Sequence, residues 1–238
     1  MKKKLFSNII TNGIILLMLI SVAVICFNSG SQYVFSSNVN EAIYSGNRNS
    51  NKVSLMINVY WGTEYLDSIL KTLKEYNVKC TFFVGGQWVE KEPEMLKKIY
   101  NAGHEIGNHG YFHKDQGSLS YDQNYDEIKA CHQIVKSTID YDMNLFAPPS
   151  GDFSNTTLEV AQTLGYSTIM WSRDTIDWRD KNSELVYTRC TKGVKGGDLI
   201  LMHPTEHTAI ALKDVLQYYA NHNLKPCTVS ENLAIKSH

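Results

Sequence analysis

Two kinds of apolar pattern divide the chain. Near its start, Ile9 to Phe27 runs almost without a polar break, and Ile14 to Phe27 carries no charge. The whole run is just long enough to cross a bilayer as a helix. From Val53 onward, short apolar runs alternate with stretches of helical spacing. Val53–Ile57, Cys80–Val84, Tyr166–Trp171 and Asp198–Met202 read as strands. His104–Asn108 and Leu145–Ala147 read as shorter ones, the second stopped by Pro148-Pro149, and Pro226–Val229 ends the series. Between them, Tyr65, Leu66, Ile69, Leu70 and Leu73 share one helical face. Met95, Leu96, Ile99 and Tyr100 mark a second helix, stopped at Gly103. Ile128, Cys131, Ile134 and Val135 mark a third, and Leu158, Ala161 and Leu164 a fourth, stopped at Gly165. Leu185–Val194 and the face Ile210, Leu212, Val215, Leu216, Tyr219 complete the set.

Strands alternating with helices predict βα units and a parallel sheet covered on its faces. A closed barrel and an open doubly wound sheet both satisfy the pattern. Either one places chemistry in the loops after strand C-termini. Residues 31–51 are rich in Ser, Asn and Gly, lack a sustained period and read as a linker. The expected organisation is therefore a basic tail and membrane segment over 1–30, a linker over 31–51 and one domain over 52–235.

Charge and cysteine content narrow the picture. The formal net charge of −1 leaves no bulk basic field to attract nucleic acid. The tight basic run Lys2-Lys3-Lys4 lies just before the apolar segment, the order of a secretory signal or signal-anchor. No small-x-small cleavage site follows, so the expectation is an uncleaved anchor. The lysines then stay cytoplasmic and the domain lies outside; a cleaved signal would release a secreted domain. Cys80, Cys131, Cys190 and Cys227 lie far apart with no C-x-x-C pair, and buried free thiols are expected rather than disulfides.

Polar residues collect at the predicted strand ends. Asn58 follows the first strand, His109 and His113 the third, Asp174 and Asp177 the one ending at Trp171, and His203 the one ending at Met202. On a helical turn, the His-x-x-x-His spacing lets two imidazoles share one metal. Two histidines so spaced on a polar surface are the plain alternative. His203 suits a general acid or base, or a hydrogen-bonded structural residue. Asp174 and Asp177 suit catalysis or the capping of a following helix. Trp61 and Trp178 are either core residues or flat faces for stacking on sugar rings.

Five ordered segments carry a family resemblance. Thr81-Phe82-Phe83-Val84 followed by Gly103 to His113 resembles the central motif of the NodB-like polysaccharide deacetylases, carbohydrate esterase family 4. Phe146-Ala147-Pro148-Pro149-Ser150-Gly151 is similar to their R-P-P-Y-G motif, and Trp171 to Trp178 to their D-x-x-D-W region. Leu199 to His203 resembles the final L-x-H motif, and Thr228 to Leu233 the family's closing segment. Asn58-Val59-Tyr60-Trp61-Gly62, Pro148-Pro149-Ser150-Gly151 and Met202-His203-Pro204-Thr205 most resemble a subgroup linked to spore formation in Gram-positive bacteria.

The resemblance implies a distorted (β/α) barrel of seven or eight strands. It implies removal of N-acetyl groups from peptidoglycan or a chitin-like glycan by a divalent metal, zinc foremost. His109 and His113 match the two histidine ligands, His203 the acid, and Asp174 and Asp177 the aspartates of the third region. Pro148, Pro149, Trp61 and Trp178 are the implied substrate contacts. The first motif departs from the family's T-F-D-D-G: Asn58 stands where the catalytic base is expected and Val59 where the third ligand is expected. Glu64, just downstream, is the candidate substitute as ligand or base. Ala147 replaces the motif arginine, and Arg173 is the candidate to supply its charge beside Asp174. Two functions therefore stand at this stage: metal-dependent deacetylation of an envelope glycan, or a catalytically impaired glycan- or partner-binding module on the same fold.

Overall fold

The computed structural model describes residues 41–235. β1 (Lys52–Val59) is central, paired in parallel with β2 (Thr81–Val84) on one side and β7 (Leu199–Met202) on the other. β3 (Glu105–Asn108), β4 (Leu145–Phe146) and β5 (Ser167–Thr168) extend the sheet beyond β2. β6 (Arg173–Asp174) lies outside β7, and β8 (Lys225–Cys227) pairs with the start of β1. Every ladder is parallel, and the sheet curls into an open, barrel-like wall.

Side-chain parity explains both cores. Along β1, Val53, Leu55, Ile57 and Val59 face outward and pack with Phe82, Val84, Ile200 and Met202 under the helices. Met56, with Phe83, Leu145, Ala147, Ile169 and Leu199, fills the inside of the curl. The period of two then hands the next inward position of each strand to the open end. Asn58 follows Met56, His109 follows Gly107, and His203 follows Leu201.

Helices cover the outer face. α1 (Thr63–Glu75) buries Leu66, Ile69, Leu70 and Leu73, the face its spacing predicts. Its N-cap Gly62 has φ of 81°, and a Cβ there would meet the Pro204 carbonyl at 2.1 Å, so only glycine lets these two loops touch. α2 (Gly86–Lys91) and α3 (Pro93–Asn101) follow β2; α2 was not legible as a helix. α4 (Tyr121–Ile139) starts at a capping box between Ser120 and Gln123. α5 (Asn155–Thr163), α6 (Asp177–Asp180), α7 (Ser183–Thr191), α8 (Glu206–Asn221) and α9 (Val229–Leu233) complete the set.

The strand expected over Tyr166–Trp171 is a correction. It stops at Thr168, and Arg173–Asp174 forms a separate strand against β7. Among the described residues no ladder joins β5 to β6; a chain segment bridges the end of β5 to the residue before β7. Ile43 bridges Ile169 in parallel and Ser45 bridges Asp198 antiparallel. Gly46 N–H donates to Gly197 O at 2.7 Å, and Arg48 pairs with Asp198. Residues 41–51, expected to be linker, therefore belong to the domain. They attach mainly through backbone groups, which leave no apolar period to read. Near the N-terminal ends of the strands, Val229 N–H donates to Thr81 Oγ1 and Ser230 N–H to the buried Glu105 carboxylate, seating α9 there. The anchor expected within residues 1–30 lies outside the described residues. Among the described ones no helix is long and apolar enough to cross a membrane.

Candidate functional site

At the C-terminal ends of the strands lies a cleft of about 360 Å³. Asn58, His109, His113, Asp174, Trp178 and His203 all line it, together with Trp61. Residues from four strand ends, far apart in sequence, thus share one wall.

The best-ordered part is the His203–Asp177 pair. Asp177 is buried, and its Oδ1 accepts His203 Nδ1–H at 2.8 Å. Its Oδ2 accepts His203 N–H at 2.7 Å and the Thr208 hydroxyl at 2.5 Å. Burial alone raises the Asp177 pKa, but these donors, His203 first, outweigh it and hold the carboxyl below its usual value. A carboxylate only accepts, so Nδ1 carries the proton and His203 turns Nε2 toward the cleft. The Trp61 ring stacks on His203, 5.9 Å between centroids and 6° from parallel. Trp61 and Trp178 remain about half exposed, at 45% and 52%. They are rim faces, not core.

His109 is held by Ala147, whose carbonyl accepts Nδ1–H at 2.7 Å. Burial, then the neighbouring His113, lowers its pKa to about 3, so the ring is neutral with a free Nε2 lone pair. His113 is lowered too, burial being the chief cause. The two rings lie 5.0 Å apart, but not on a helical turn as the spacing suggested. The segment is a loop, with Gly110 at φ 70° and His113 at φ 57°. Tyr60, the next inward position after Asn58, packs on His113 at 4.9 Å.

The donor set does not fit a catalytic metal. Such a centre takes three protein ligands and keeps one position open. Here two histidines stand without a third partner. Position 58 is an amide and Val59 is wholly buried in the outer core. Glu64 is exposed on the first turn of α1 and does not line the cleft, so it replaces neither ligand nor base. Among the described residues, no group of three His, Cys, Asp or Glu is arranged to hold a metal. The metal set His109, His113 and Glu64 is corrected to two histidines.

Arg173 is a second correction. Its outward parity on β6 turns the guanidinium away from Asp174 and onto the C-terminus of α7. There it donates to the Arg189 carbonyl at 2.8 and 2.9 Å and to the Lys192 carbonyl at 2.6 Å. Pro148 and Pro149 are buried and do not line the cleft; Ser150 beyond them does, at φ 57°. Asp174 stands in the cleft and accepts Ile176 N–H at 2.8 Å. Sequence reasoning missed Tyr60 and Trp171, which also line the cleft. The period of two from Asn58 was the available signal for Tyr60.

Comparisons with known proteins agree with this geometry. Residues 45–169 match the family described as polysaccharide deacetylase. The Bacillus subtilis protein YlxY is 37% identical over 191 residues, covering 80% of this chain and 60% of that protein. The chain thus spans less than two thirds of that relative. The Bacillus subtilis peptidoglycan-N-acetylmuramic acid deacetylase PdaA is 32% identical over 181 residues, covering 74% of this chain and 69% of its own. Among solved structures, a CE4 family pseudoenzyme from Bacillus anthracis superposes with a TM-score of 0.80 at 35% identity, over 84% of this chain and 71% of that one. A mutant of the same pseudoenzyme, also at TM-score 0.80, is described as having restored enzymatic activity.

Proposed function

Because the chain belongs to the polysaccharide deacetylase family, we propose that its cleft binds an N-acetylated envelope glycan, peptidoglycan or chitin-like, and does not remove the acetyl group. The observation that carries this reading is the pairing of Asn58 with Val59. One is an amide on the inner face, unable to take a proton at neutral pH; the other is an apolar residue buried in the outer core. The base and the third ligand are thus both missing, and no carboxylate nearby replaces them as ligand.

What remains suits recognition. Trp61 and Trp178 offer flat apolar faces to sugar rings. His203 Nε2, fixed by Asp177, and His109 Nε2, fixed by Ala147, accept hydrogen bonds from hydroxyl or amide N–H groups. Asp174 adds a carboxylate. His203, His109, Trp61 and Asp174 are held before a ligand arrives, which lowers the ordering cost of binding. The same reading places the domain outside the membrane behind the anchor expected in residues 1–30. It is also consistent with a pseudoenzyme among the structural neighbours.

A hydrolase is the second reading. The intact Asp177–His203 pair favours it, since an ordered imidazole can protonate a leaving amine. That acid, with Asp174 as the carboxylate in the cleft, still lacks a third ligand to hold the metal that would activate water. Acetate release from N-acetylated chitooligosaccharide and peptidoglycan fragments, with zinc, cobalt or manganese added, separates the two. We expect no release above that of a His109→Ala control. Metal-dependent release lost in that control would establish the hydrolase.

A further inference from the structure

Glu127 lies outside the cleft lining, yet its carboxylate is fully engaged. It projects from α4 and is buried. Its Oε2 accepts Tyr111 N–H at 3.0 Å and Phe112 N–H at 2.8 Å. Its Oε1 pairs with Lys114 Nζ at 3.1 Å. Burying a carboxylate is costly unless it is paired and hydrogen-bonded, and here one carboxylate is spent on a single five-residue loop. That loop is otherwise awkward. It turns through positive φ at Gly110 and again at His113, where a side chain disfavours it.

The loop holds one more exposed aromatic. Phe112 lies next to His113 of the cleft, and half of its surface is open to water. It is nevertheless fixed. Its ring meets Tyr111 edge to face at 4.6 Å, and Lys114 Nζ sits 5.1 Å from its centroid. Tyr111 in turn packs so closely on Gly86 that a Cβ there would meet its ring at 2.2 Å. An apolar ring held on two sides and left open on the remainder is pre-organised for contact with something flat.

We propose that Phe112 is an outer sugar-binding platform, and that Glu127 is the positioning residue that sets it. This rests on the reading of the cleft as a glycan site. It extends that site along the chain: Trp61 and Trp178 receive the sugars in the cleft, and Phe112 receives a further N-acetylated sugar beyond His113. Lys114 serves twice, as the counter-charge to Glu127 and as the cation over Phe112.

The test is calorimetric binding of N-acetylchitobiose and N-acetylchitopentaose by the full chain. Wild type should bind the longer sugar more tightly. Phe112→Ala, a surface change, should cut the ratio of the two affinities roughly tenfold. Glu127→Ala should do the same and move the Tyr111 and Phe112 amide-proton resonances upfield. Glu127→Gln, which still offers one oxygen to both N–H groups, should keep most of the ratio. An unchanged ratio in Phe112→Ala overturns the platform. Equal losses in Glu127→Gln and Glu127→Ala overturn the positioning role. Wild type that binds neither sugar overturns the cleft reading, and the platform with it; wild type that binds both equally overturns the platform alone.

Discussion

Asn58 is 4% exposed, and its Oδ1 is enclosed without a hydrogen-bond partner. Leaving such an atom unpaired costs about 1–3 kcal/mol. Asn58→Leu, similar in shape, should therefore raise the thermal midpoint by roughly 2–4 °C per kcal/mol recovered, while weakening glycan binding. A midpoint that falls would show the amide to be satisfied. Asn58→Asp alone should release no acetate, since it supplies a carboxylate but no third ligand. His104 gives part of the acid response, beside His109 and His113. It is buried just before β3, accepts Cys80 N–H at 3.3 Å, and burial, then Lys79, lowers its pKa to about 4. The unfolded chain binds this proton near pH 6.5, so stability is full above that value and is lost as pH falls toward 4. His104→Gln should flatten the stability–pH slope in that window by about 1.4 kcal/mol per pH unit, read by denaturant titration. A slope left unchanged would show that His104 titrates normally. The thiols do not titrate in this range. Among the described residues burial raises all four thiols, Cys131 and Cys190 to about 12 and Cys227 to about 11.

At the scale of elements, legibility followed periodicity. α1 and β1 were readable because burial imposes a period of 3.6 on one and a continuous apolar run on the other. α2 is only six residues long, too short to show a period. The His-x-x-x-His segment misled because its spacing fits a helical turn. Glu127, distant in sequence and partnered through backbone N–H groups, draws it into a loop instead. Arg173 misled in the same way: proximity to Asp174 in sequence becomes opposite faces on a strand. The segment 43–48 leaves little sequence signal, yet it bridges the end of β5 to the residue before β7. Its Arg48 is one of several partners of the buried Asp198, with Ser172 Oγ–H donating at 2.8 Å and Lys195 N–H at 2.8 Å. Removing residues 1–50 should therefore lower the thermal midpoint relative to removing residues 1–40. It should also weaken glycan binding through the adjoining Trp171. Equal midpoints for the two truncations would return the segment to the role of linker.

For the whole molecule, the barrel-like sheet was legible as a class and the motifs as an ordered set, because each sits where a parallel strand ends. Most of the cleft's polar lining was legible, whereas Tyr60 and Trp171 were missed and Pro148, Pro149 and Glu64 lie outside it; its chemistry was not legible. Whether two histidines find a third ligand depends on which way Glu64 and Val59 face. One is exposed on α1 and the other is buried in the outer core. As proposed, this cleft holds an N-acetylated glycan intact. The direct measurement is a proton NMR time course of N-acetylchitotetraose with the full chain and added zinc, following the acetyl methyl signal. The bound methyl resonances should broaden and shift, Trp61→Ala should remove the effect, and no free acetate should appear. A growing acetate signal that depends on zinc and on His109 would contradict the proposal.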